Sequence, residues 1–184
     1  MEQSGIIILA GGKSSRMGED KGLMPLFGRA MISYVIDKAL EVSPNIVIVS
    51  DNPNYKKFDF PVVKDVYKEK GPLGGIYSGL INSEREKNLV LSCDIPYVKS
   101  GLLKYLLYQA EGYDITIPIH KERIHPLIGI YSKHCASHFK RCIELDKLKI
   151  TNAFEPFETN YVEADEFDDI EFKNLNSKKD IIPM

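Results

Sequence analysis

The chain reads as an α/β protein, a three-layer α/β/α sandwich with a mostly parallel central sheet. Three observations carry this. Largely apolar runs at 6–9, 46–49 and 88–92 have the length and composition of strands buried on both faces. Segments with helical spacing of apolar residues lie between them, and such alternation builds a layered parallel sheet. The runs end in loops that carry glycine or aspartate, and sheets of this kind bind ligands beyond the carboxyl ends of their strands.

Taken in order, residues 6–9 form the first strand and empty into a loop over 10–18. Residues 23–27 are short and apolar, with a turn at Gly28-Arg29. Met31, Ile32, Val35, Ile36, Ala39 and Leu40 mark one buried face of a helix. The strand at 46–49 stops at Asp51-Asn52-Pro53, a short helical turn spans 55–58, and a third, short strand at 61–63 leads to Asp65. Gly71-Pro72-Leu73-Gly74-Gly75 opens a helix that runs to about residue 84. The strand at 88–92 ends in Cys93-Asp94-Ile95-Pro96. A helix at 102–110, strands at 115–119 and 127–131, an amphipathic helix at 134–145 and a strand at 161–163 follow. The acidic stretch 165–171 reads as a solvated face, with Phe167, Ile170 and Phe172 pinning it to the body.

At 184 residues with no repeat and no linker, one domain, 1–184, is expected. The net charge of -2 argues against a nucleic-acid partner. No apolar run approaches the roughly 18 residues that span a membrane. Residues 1–4 lack the basic start of a signal peptide. Cys93, Cys135 and Cys142 are odd in number and irregularly spaced, which fits reduced thiols and a cytoplasmic location.

Gly12-Lys13-Ser14 contains the G-K-S of a P-loop, but that motif needs a glycine where Ile7 stands, inside the strand. A different phosphate site fits. Gly11 and Gly12 let a ligand approach the backbone, whose N–H groups can cradle anionic oxygens. Arg16 and Lys21 add positive charge, and the competing reading is a surface loop with two solvated cations. Asp94 ends a buried strand, where it is either a Mg2+ ligand or a turn and helix-cap residue before Pro96. Asp65 shares that ambiguity. His125 reads either as a contact to a pterin or phosphate or as a satisfied histidine in a turn. His134 and His138, near Cys135 and Cys142, read as surface polarity or a metal pair with no third ligand placed.

The stretch LAGGKSSRMGEDKGL resembles the signature of nucleotidyltransferases with a glycosyltransferase-A-like, Rossmann-like fold (the nucleotide-diphospho-sugar transferase type). Within them the chain is most similar to the molybdenum cofactor guanylyltransferase (MobA) family. The likeness continues through Asp65, GPLGGIYSGL, SCDIPYV, HPLIGIY and the NLN at 174–176. It implies transfer of GMP from GTP to Mo-molybdopterin with release of pyrophosphate. It further implies Arg16, Lys21 and Asp94 as catalytic residues. Leu9, Ala10, Gly11, Gly12, Asp65 and Gly74 would join Lys21 and Asp94 around GTP, with Mg2+ on Asp94. His125, Asn174 and Asn176 would meet the acceptor. Implied partners are the two substrates, other molybdenum cofactor biosynthesis proteins and recipient molybdoenzymes. The alternatives are a cytidylyltransferase or another nucleotidyltransferase acting on molybdopterin or on a sugar or polyol phosphate, and a regulatory nucleotide-binding domain. Ser50 stands where the family carries an asparagine, with Asn52 just beyond.

Overall fold

The computed structural model describes residues 4–11, 20–176 and 180. Strand β1 (Gly5–Leu9) is buried along its whole length. It pairs in parallel with β4 (Ile46–Val49), Ile6 opposite Ile46 through Leu9 opposite Val49. On its other side it pairs in parallel with β6 (Lys87–Ser92), Gly5 opposite Asn88 through Leu9 opposite Ser92. Among the described residues the sheet order is β10-β7-β9-β6-β1-β4-β5. Here β5 is Val62–Val63, β7 Ile115–His120, β9 Ile128–Ser132 and β10 Thr159–Glu163.

The alternation of side chains along β1 assigns the layers. Ile6 and Ile8 share a core with Ile32, Val35 and Ile36 of α1 (Met31–Leu40) and Leu102, Leu103 and Leu106 of α3 (Ser100–Gln109). Ile7 and Leu9 pack on the other face with Leu73, Ile76 and Leu80 of α2 (Gly71–Asn82) and Phe139 and Ile143 of α4 (Cys135–Glu144). Each such buried aliphatic side chain stabilises the fold by about 1.5–3 kcal/mol. Helix α2 lies hard against β1, because a Cβ on Gly79 would sit 2.3 Å from Ile7 Cγ2.

The sheet is mixed rather than wholly parallel. Strand β9 runs antiparallel to both β6 and β7, while β10 returns parallel to β7. The reversal follows from a hairpin: β7 turns at Lys121 and Glu122, both at positive φ, into β8 (Arg123–Ile124), which pairs back onto His120 and Ile119. That left-handed turn contains no glycine and is held from outside, Lys121 N donating to Asp165 Oδ1 at 2.7 Å. The apolar stretch at 23–27 becomes half of a second small hairpin, β2 (Pro25–Leu26) with β3 (Arg29–Ala30), turning at Phe27 and Gly28. Helix α2 ends two residues early, since Ser83 is extended. The acidic stretch also departs from the expected solvated face. Glu171 is 2% exposed, and its Oε2 accepts from the backbone N of Lys99, the N-cap of α3, at 3.0 Å. The carboxyl ends of β1, β4, β5, β6, β7 and β10 and the start of β9 thus share one edge.

Candidate active site

Strands β1, β4 and β6 leave the sheet together. Ala10 N donates to Val49 O at 2.9 Å, and Cys93 N to Leu9 O at 3.0 Å. Asp94 follows at once, in a turn and 8% exposed. It caps no helix, since α3 begins at Ser100. Its Oδ1 accepts from Ser92 Oγ at 2.5 Å and from Asn174 Nδ2 at 3.1 Å. Its Oδ2 faces Lys21 Nζ at 3.7 Å. Lys21 Nζ in turn donates to Asn176 Oδ1 at 2.6 Å. Between the two asparagines, Leu175 is buried with Leu26, Met31 and Tyr97, and its N–H donates to Asp94 O at 2.8 Å. The N-L-N string therefore works as a short extended strap, its apolar middle anchored and its two amides gripping Asp94 and Lys21. Four residues singled out in the sequence, Lys21, Asp94, Asn174 and Asn176, are brought into one cluster.

Gly12 and Arg16 lie outside the described residues. The side chains of Leu9 and Ala10 are buried, and Leu9 O and Ala10 N are taken up by the sheet bonds above. Gly11 is exposed, and among the described residues a Cβ there would meet Val49 O at 3.9 Å, an ordinary contact distance.

Asp20, which precedes Lys21, was not singled out in the sequence. Its carboxylate accepts from Gly22 N at 3.2 Å, from Asn52 Nδ2 at 3.0 Å and from the hydroxyl of Tyr55. Ser50 is buried and its Oγ accepts from Asn52 N at 3.1 Å. The departure at Ser50 thus leaves Asn52 tied to Asp20. No local periodicity could have found Asn52 and Tyr55, which lie 32 and 35 residues from Asp20 in the chain.

Asp65 follows β5 and is half-buried. Its Oδ1 lies 2.9 Å from Ser78 Oγ and accepts from Tyr67 N at 3.2 Å. Burial pushes the Asp65 carboxyl above its ordinary range, against the pull of the Ser78 and Tyr67 bonds, with Asp51 adding to the rise. Gly74 packs against this loop: a Cβ there would sit 3.2 Å from Tyr67 O and 3.4 Å from Asp65 Oδ1. Its lack of a side chain lets α2 begin against Asp65.

On the far side of the edge, His125 N donates to Pro118 O at 3.0 Å, and its ring lies 4.8 Å from that of Phe172. The buried Nε2 has no hydrogen-bond partner among the described residues. Burial, then the neighbouring His120 and Arg123, push the His125 imidazole below its ordinary value. His120 stacks on Phe172 at 4.3 Å, with ring nitrogens 3.0 Å from Ala164 O and 2.9 Å from Asp169 Oδ1. Phe172 stands two residues before Asn174, so one strap serves both corners. His134 and His138 are occupied elsewhere, by Asp114 at 3.0 Å and Cys142 Sγ at 3.3 Å. Among the described residues no group of three or more His, Cys, Asp or Glu could hold a metal ion by itself.

The model of a MobA-like NTP transferase domain matches residues 6–155, which include Lys21, Asp65, Asp94 and His125. A Flavobacterium johnsoniae protein named "Probable molybdenum cofactor guanylyltransferase" is 36% identical over 182 residues, 98% of this chain and 96% of that protein. A solved protein of Aquifex aeolicus superposes with a TM-score of 0.81 at 30% identity, covering 95% of this chain and 94% of that one. The molybdopterin-guanine dinucleotide biosynthesis protein A of Archaeoglobus fulgidus gives a TM-score of 0.79 at 26% identity, covering 95% and 93%. On this match across most of its length, the chain belongs to the MobA-like NTP transferase family.

Proposed function

We propose that this chain transfers GMP from GTP to Mo-molybdopterin, releasing pyrophosphate and forming a guanine dinucleotide form of the molybdenum cofactor. The meeting of Lys21 Nζ and Asp94 Oδ2 at the carboxyl edge of the sheet carries the reading. The printed names of the relatives supply the nucleotide and the acceptor.

An oxygen of the acceptor's terminal phosphate forms a bond to the α-phosphorus of GTP. The bond from that phosphorus to the bridging oxygen breaks, and pyrophosphate leaves with the electron pair. A phosphate monoester is largely dianionic at neutral pH, its second pKa being about 6. No general base is therefore required, and catalysis rests on alignment and on neutralising charge. Lys21, with Arg16, neutralises the leaving pyrophosphate. Asp65 and the backbone at Leu9, Ala10, Gly11, Gly12 and Gly74 hold the nucleoside end. His125, through its unpartnered Nε2, and the remaining amide atoms of Asn174 and Asn176 meet the acceptor.

Asp94 suits Mg2+. Among the described residues its Oδ1 is engaged twice while Oδ2 has the long Lys21 pair alone, and Mg2+ takes one or two carboxylates together with substrate phosphates. When bound, the ion supplies Lewis-acid polarisation of the α-phosphate. The enzyme works in the cytoplasm, between proteins that complete molybdopterin and the molybdoenzymes that receive the product. No helix among the described residues is long and apolar enough to cross a membrane.

The test is incubation with Mg2+ and Mo-molybdopterin plus GTP, CTP, ATP or UTP singly, followed by mass identification of the product and measurement of pyrophosphate. GTP alone should give a dinucleotide. A cytidine product would replace the guanylyl assignment, and no pyrophosphate from any nucleotide would remove the catalytic one.

A further inference from the structure

Lys21 stands between two residues that the fold fixes. Asp20, before it, caps the short 3-10 turn Lys21–Leu23 by accepting from Gly22 N. A cap needs one acceptor, yet this carboxylate gathers three donors, the others being Asn52 Nδ2 and the Tyr55 hydroxyl. Gly22, after Lys21, is buried, and a Cβ there would lie 2.4 Å from the Tyr55 hydroxyl and 3.1 Å from Cys93 Sγ. Tyr55 thus holds one neighbour of Lys21 by a hydrogen bond and sets its hydroxyl end where a side chain on the other would have to go. It is itself 0% exposed, on the turn Pro53–Phe58 that follows β4. Burial, with Cys93 and Asp20 alongside, pushes its phenol up, so it remains a donor.

We propose that Tyr55 and Asp20 are a positioning pair for Lys21, fixing its backbone so that Nζ reaches Asp94 and Asn176 instead of sweeping through solvent. The lysine stem is long and flexible, so anchoring its root lowers the ordering cost of meeting a phosphate. The pair touches no substrate and acts through Lys21. The functional consequence rests on the reading that Lys21 meets the triphosphate.

Tyr55→Phe removes the hydroxyl and keeps the ring; Asp20→Asn keeps the shape and weakens the acceptor. The first readout needs no substrate. Lys21 acylation by acetic anhydride is followed by peptide mass spectrometry, with exposed Lys99 and Lys140 as internal references. Both variants should raise the Lys21 rate about fivefold, the factor one net hydrogen bond sets on an equilibrium, and leave the references unchanged. The second readout is a cycle on Mg-GTP affinity. Tyr55→Phe should weaken binding about fivefold with Lys21 present and by less than roughly 1.5-fold in a Lys21→Ala background. An unchanged Lys21 rate, or equal losses in both backgrounds, would overturn the proposal. If the unmodified protein binds no Mg-GTP, the nucleotidyltransferase reading fails, and the acylation rates still decide whether Tyr55 and Asp20 hold Lys21.

Discussion

At the ends of β1 and β6, Asp94, Lys21, Asn174 and Asn176 satisfy one another through side-chain bonds. At the end of β7 and the start of β9, His120, His125 and Phe172 meet ring to ring, and one buried nitrogen has no partner among the described residues. Both corners lie on the same edge and are joined by the strap that carries Phe172, Asn174 and Asn176. The first keeps its charges partly accessible and bonded, as a site for a charged ligand needs. The second is held by packing. Substitutions in the two corners should therefore fail differently, one in turnover and the other in stability.

The largest effect is expected at Asp94. Asp94→Asn keeps the volume and one carbonyl oxygen for Ser92 and Asn174, but removes the charge. Turnover should fall about 10²–10³-fold, the range for losing one preorganised electrostatic group, with a melting temperature close to that of the parent. Steady-state pyrophosphate release and a thermal melt on the same preparation check both halves. Near-normal turnover would detach Asp94 from the chemistry.

Phe172→Ala should give the opposite pattern. The ring is 6% exposed and contacts both histidines, so its loss leaves a cavity costing about 3 kcal/mol, or roughly 10 °C in melting temperature for a chain of this size. Turnover measured at 20 °C should stay well above that of Asp94→Asn. If the two variants lose equal turnover, the strap transmits damage between the corners and they do not fail separately.

Asp65 sharpens the contrast within the charged corner. Its carboxyl is raised, so between its ordinary and folded values the native state binds more protons than the unfolded one, and stability falls as pH rises through that window. Once ionised in the folded protein, Asp65 opposes folding. Asp65→Asn keeps an oxygen for Tyr67 N and Ser78 Oγ and has no charge to bury. Its melting temperature at pH 7 should equal or exceed the parent's, while Mg-GTP affinity falls about tenfold, the scale of one charged hydrogen bond. Calorimetric titration and a melt test the pairing; unchanged affinity would reduce Asp65 to a loop residue.

The same contrast marks what could be read from the chain alone. β1 was legible because the short apolar run at 6–9 has the length and composition of a strand covered on both sides, and Asp65 and Asp94 because they stand where such strands end. Lys21 was legible as a cation in a glycine-rich loop. The direction of β9 was not, since it depends on the left-handed turn at Lys121 and Glu122, residues with no special preference for it. Asp20 sits unremarked inside the signature loop, Asn52 and Tyr55 lie outside it, and their bond network exists only once the turn after β4 folds onto Gly22. Glu171 looked like one more solvated acid because its partner, the N–H of Lys99, lies across 72 residues of chain. Asn174 and Asn176 entered by family likeness; nothing local marked them as partners of Asp94 and Lys21.

The smallest effect belongs to His125 and reports on the ring corner through pH. Burial, then the neighbouring His120 and Arg123, hold the imidazole below its ordinary value, so the folded protein keeps it neutral where the unfolded chain takes up a proton. The unfolded state then binds more protons, and stability rises with pH through the window and levels off above about 6.5. Read downward, His125 adds stability that is complete above that value and is lost as the pH falls. His125→Gln has nothing to protonate. Its melting temperature should fall less steeply than the parent's between pH 6.5 and 5, with the two curves parallel above pH 7. Curves that stay parallel down to pH 5 would mean that His125 is free to take up a proton in the folded protein. If the unpartnered Nε2 also meets the acceptor, the same variant should raise KM for Mo-molybdopterin and leave KM for GTP unchanged. That outcome would divide the edge into an acceptor corner held by packing and a nucleotide corner held by charge.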